Sequence, residues 1–153
     1  MGTVHFHGYL WVGDKAVFDK ESLRRPPPAD EPPATCPPDV IQRYREAVAQ
    51  WRTTDVPPLQ TAHLLLKPAK AIRGTWNDPA QATQWLSGQL AHYARRVESD
   101  HNRHAVASAY AAETLGRGGD VSFGFYLGRP LFLSIAVVTC SPNRSAPELP
   151  CPV

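Results

Sequence analysis

The chain has 153 residues, 42% of them hydrophobic and 20% charged, and a formal net charge of +2. That is one domain's worth of sequence, too apolar for a wholly disordered chain. Its longest apolar stretches, residues 131–138 and 62–66, fall far short of the roughly 20 residues needed to cross a bilayer, and so small a charge excess argues against a protein that neutralises many phosphates.

Twelve Arg against four Lys, with 16 Pro, reflect GC-rich codons of a bacterial type and not a function. The three cysteines, Cys36, Cys140 and Cys151, are odd in number and include no CxxC pair, so free thiols are expected in place of a disulfide scaffold or a zinc ribbon. A Cys140–Cys151 bond would be unusual in a reducing compartment. Residues 1–14 show no basic leader ahead of an apolar run, which makes a cytoplasmic protein the expectation.

The first predicted element is a strand over residues 4–12, rich in aromatic and β-branched residues and closed by Gly13-Asp14. Period-two geometry places Val4, Phe6, Leu10 and Val12 on one face and His5, His7, Tyr9 and Trp11 on the other. Residues 25–39 carry seven prolines between Pro26 and Pro38, which fix φ and remove donors, so this stretch reads as a stiff wrapping loop. Asp39 then caps a predicted helix in which Val40, Ile41, Tyr44, Ala47, Val48 and Trp51 recur at helical spacing, ending before Asp55.

Gln60 to Lys67, bounded by prolines that leave few residues for a helix, reads as a short buried strand carrying His63. Residues 71–76 fit either a strand or a turn. Asn77-Asp78-Pro79 opens a second helix whose stripe Ala82, Trp85, Leu86, Leu90, Tyr93 and Val97 runs over about five turns. Residues 104–115 favour a third helix, although alternation of Val106, Ser108, Tyr110 and Ala112 also permits a strand. Val121–Leu127 and Leu131–Cys140, joined by Gly128-Arg129-Pro130, form the strongest hairpin signal. The proline-bearing tail, residues 141–153, reads as irregular.

These elements imply a single α+β domain over residues 1–153: a mixed or antiparallel sheet of four to five strands with two helices, or three, packed on one face. The opposite face would then meet solvent, a partner or a ligand.

Three clusters carry candidate chemistry. His5 and His7 point the same way on a strand, and His63 on a paired strand would complete a three-histidine zinc site able to activate water. The alternative is a half-exposed sheet face shared with Tyr9 and Trp11, since no carboxylate or cysteine stands at a telling spacing. Arg96 and His101 have the spacing of a phosphate-holding Arg and a proton-moving His. With 12 Arg and 6 His, about one such pair arises by chance, so a solvated helix end is the plainer account. Arg95, Arg96, His101 and Arg103 nonetheless mark the best place for an anionic partner to dock. Cys140, ending the last strand, is a candidate nucleophile if a base or cation lowers its pKa; strand-end cysteines are otherwise small buried hydrophobes.

No phosphate loop, dinucleotide fingerprint or GxSxG elbow is present, and no cofactor is called for. The leading expectation is therefore a cytoplasmic accessory protein that binds a protein partner, or a second copy of itself, through an exposed aromatic face around Tyr9 and Trp11. The competing expectation is a hydrolase or nuclease-like enzyme acting on an anionic substrate with the His/Arg set, metal-assisted. Weak nucleic-acid binding by stacking on the sheet is a third.

Overall fold

The computed structural model describes residues 4–98 and 102–153. Its frame is one four-stranded antiparallel sheet in the order β2-β1-β4-β3, built from β1 (His5–Asp14), β2 (Gly74–Trp76), β3 (Val121–Tyr126) and β4 (Leu131–Cys140). The 121–140 hairpin forms as expected, and the ambiguous stretch before Asn77 contributes the short edge strand β2. β1 runs between β2 and β4, with His5 opposite Cys140 and His7 opposite both Thr75 and Val138.

The predicted alternation along β1 decides what lies on each face. Phe6 joins Leu133, Ile135, Val137, Val121 and Phe125 on one side, under α4 (Pro79–Tyr93) and α5 (Asn102–Gly116). α4 starts where the sequence says it should: Pro79 takes the first position and Asp78 accepts a hydrogen bond from the Ala80 amide at 2.9 Å. Ala82, Leu86 and Leu90, four residues apart, are essentially inaccessible, and Ala107, Ala111 and Leu115 do the same for α5. Residues 104–115 are thus helical, because burial recurs every fourth residue at Ala107, Ala111 and Leu115 while Ala109, which strand alternation would bury with them, is exposed, as are Val106 and Tyr110. α4 ends at Tyr93, short of Val97, as Arg96 and Val97 donate back to the Tyr93 carbonyl and Glu98 donates to that of Tyr126. Gly8 lets these layers meet, since a Cβ there would stand 2.7 Å from the Trp85 ring and 3.0 Å from that of Trp76.

The second face differs from expectation. Gln60 to Lys67 is not a strand but a 3-10 helix, Thr61–Leu66, with His63 donating to Gln60 O and Lys67 to Leu64 O. An apolar run of this length fits either conformation; β2 and β3 hold the outer positions of the sheet, and the segment instead lays Leu64 and Leu65 flat against Tyr9, Ala136 and Val138. The predicted helix is α3 (Pro38–Thr53), but Asp39 does not cap it: Pro37 stands at the N-cap and Pro38, whose missing donor costs nothing in the first turn, takes the first position, which leaves Asp39 inside the helix. It does not share the α4/α5 face. Its buried Trp51 meets His63 and Lys67 on the 3-10 side.

Two short helices, α1 (Lys15–Phe18) and α2 (Glu21–Arg24), continue from β1, and Phe18 packs between Trp11 and Phe132. Tyr9 and Trp11 are therefore 4% and 9% exposed, so the open aromatic face does not exist. Among the described residues no helix is long and apolar enough to cross a membrane.

Candidate metal centre

The site grows from the antiparallel register. Because His5 faces Cys140 across β1 and β4, and period-two alternation turns His7 to the same side, two imidazoles and a thiol converge at one corner of the sheet. The fourth member comes from the tail. Asn143, fully buried, donates from Nδ2 to Thr139 O at 2.7 Å and to the Asp120 carboxylate at 3.0 Å, and its Oδ1 accepts from the Ser145 and Ala146 amides. This bends the chain so that Leu149 and Cys151 fold back onto the sheet.

The donor atoms of His5, His7, Cys140 and Cys151 all lie within 4.8 Å of one another. His5 Nε2 is 3.0 Å from Cys151 Sγ and 3.3 Å from Cys140 Sγ; His7 Nε2 is 3.5 Å from each sulfur. The other nitrogen of His7, Nδ1, is 2.9 Å from the Thr75 hydroxyl on β2. His7 and Cys140 are fully buried, whereas His5 and Cys151 are half-buried.

Burial sets the electrostatics. It brings His7 down to about 4, with His5 adding to the effect. It also pushes the Cys140 thiol up to about 12, reinforced by a hydrogen bond and charge from Cys151. Burial opposes ionisation of Cys151 as well, but the Val153 backbone, Cys140 and His5 outweigh it and hold that thiol below the usual range. The pair thus resolves into a proton-keeping Cys140 and a Cys151 inclined to thiolate. Tyr9 is raised, first by burial and then by the two cysteines.

Of the three histidines expected together, the fold unites His5 and His7 and sets His63 apart. Its ring stands edge-on to Trp51 with centroids 6.2 Å apart, since the 3-10 helix that carries it never enters the sheet. Cys140 is free, as expected, yet at 1% exposure it has no opening through which a nucleophile could meet a substrate. Arg95 and Arg96 are exposed in the turn after α4, Arg103 is exposed over the Phe125 ring at 5.3 Å, and His101 lies outside the described residues. Cys151 was missed as a partner: it sits 146 residues from His5, and only the Asn143 bend, invisible to spacing rules, brings it back. Comparison with protein-family models, curated proteins and solved structures finds no match to this chain.

Proposed function

We propose that this chain is a metal-binding protein whose two histidines and two cysteines, His5, His7, Cys140 and Cys151, hold one zinc-class ion. The observation that carries the reading is the convergence of four such donors, from three separate chain segments, within 4.8 Å. Zinc bonds of about 2.3 Å to sulfur and about 2.0 Å to nitrogen require tetrahedral N···S edges of about 3.5 Å. The four N···S separations, 3.0 to 3.5 Å, need only a slight expansion. Two thiolates select for a borderline-soft ion such as zinc over calcium or magnesium. With Nδ1–H donated to Thr75, His7 turns its Nε2 lone pair to the ion, as ligating histidines do.

Four protein donors complete a tetrahedron and leave no position for a reacting water, so the ion is structural and not hydrolytic. It ties the tail to the sheet, and the partner-binding reading loses the exposed Tyr9/Trp11 face on which it was built.

The test is metal stoichiometry by elemental analysis, with Co(II) replacing zinc for visible spectroscopy. One ion per chain, with the intense thiolate-to-cobalt absorption of a tetrahedral site, is expected for the native chain and for His63→Ala. Cys140→Ser paired with Cys151→Ser should abolish both signals. Stoichiometric metal in that double variant, or none in the native chain after zinc is supplied under reducing conditions, overturns the proposal.

A further inference from the structure

Along the same face of the sheet, past Tyr9 and away from the His5 end of β1, a cleft of about 490 Å3 opens between the 3-10 side and the turn that follows α3. Its floor is the sheet itself, with Tyr9, Trp11 and Ser134 among its residues, and its volume falls within the range of sites for small organic molecules. The charge of its lining is one-sided. Arg24, Lys67, Lys70 and Arg73 contribute four cations and Asp55 the single carboxylate, leaving three net positive charges on a chain whose total is only +2. Among the described residues none of these four cations sits in an ion pair.

Two of the cations are held in place. Lys67 is 6% exposed, with Nζ 2.8 Å from the Trp51 carbonyl and 4.1 Å from the centre of that indole ring. One ammonium proton is thereby used, whereas the group carries three. Burial disfavours this ammonium and Asp55, the one carboxylate of the lining, offsets that only in part, so a further anion lowers the cost. Arg24 donates from Nε to the Pro57 carbonyl at 2.9 Å and lies 3.8 Å over the Phe18 ring, which fixes its guanidinium at the cleft. Lys70 and Arg73 are exposed and form the outer charge. Preorganised cations above a mixed floor, in which Tyr9 and Trp11 show only a small part of their rings, make a receptor for a molecule that is charged at one end and apolar at the other.

We propose that this cleft binds a small organic anion, a carboxylate or a phosphate monoester with an apolar body, through Arg24, Lys67, Lys70 and Arg73 above the Trp11 floor. None of these residues belongs to the metal centre, so the two proposals stand or fall separately.

The test uses 1-naphthyl phosphate and 1-naphthoate as probes, with neutral 1-naphthol as control, titrated into the full isotope-labelled chain and followed by amide chemical shifts. Saturable binding of at least one anion, about 10-fold or more tighter than that of naphthol and weakening with salt, is expected. The shifts should centre on Tyr9, Trp11, Ser134 and residues 67–73. Lys70→Glu combined with Arg73→Glu, both at exposed positions, should lower anion affinity about 10-fold or more while leaving the metal stoichiometry unchanged. Phosphate bound over carboxylate, or the reverse, identifies which headgroup the cations are set for. Failure of both anions to saturate at about 5 mM, equal affinity for naphthol, shifts centred elsewhere, or an unchanged affinity in the double variant overturns the proposal.

Discussion

Thr75 is one of three residues in the shortest strand, and its hydroxyl, 2.9 Å from His7 Nδ1, decides which nitrogen of that ring looks toward the cysteines. Removing the oxygen while keeping the shape frees the imidazole to adopt the wrong tautomer or rotate. Thr75→Val should therefore weaken metal binding by about 10- to 100-fold with little change in overall structure; competition with a chromophoric chelator measures it, and an unchanged affinity would remove Thr75 from the site. At this scale the sequence was partly readable. Alternation on β1 correctly set His5 and His7 together and opposite Phe6 and Leu10, because side-chain direction on a strand is fixed by its period of two. His63 was misplaced because a short apolar run does not announce whether it is extended or coiled.

Among the elements, the tail is the one whose behaviour spacing rules miss most. Residues 141–153 lack regular structure, yet their bend is held by one buried side chain whose amide bonds Asp120, Thr139, Ser145 and Ala146. Asn143→Ala would leave the buried Thr139 carbonyl without its side-chain donor and Asp120 with one fewer. It is expected to destabilise the protein by about 2–4 kcal/mol and to lower metal affinity, because Cys151 loses its approach. Urea unfolding reads the first effect and chelator competition the second; a loss under about 1 kcal/mol would mean that the bend is held by other contacts. α4, by contrast, was legible from Pro79 and from the four-residue spacing of Leu86 and Leu90, since local capping and amphipathicity mark such a helix, whereas the alanine-rich stretch that becomes α5 fitted a strand as well until its packing against the sheet decided it.

At the level of the molecule, the sheet separates two kinds of packing. The α4/α5 side is a mainly apolar core, whereas the opposite side carries the two candidate sites: the His/Cys corner at one end of β1 and the basic cleft toward the other, with Tyr9 between them. The α+β class and the antiparallel order followed from element order and the hairpin. That both faces are covered did not follow, because the covering side is made of 3-10 turns, short helices and the tail, which leave little periodic trace.

The position of β1 has one more result. It lies between β2 and β4, pairs with β4 along its whole length, and joins the remainder of the chain only through the exposed, proline-rich residues around 28–35. A break between Ala34 and Thr35 would thus yield a short peptide acting as an interior strand for a larger fragment. The two should remain bound to each other in native buffer and, produced apart, should reassemble on mixing into a 1:1 complex visible by size-exclusion chromatography. Fragments that drift apart after the cut would show that covalent continuity, and not strand pairing, keeps this strand in its slot.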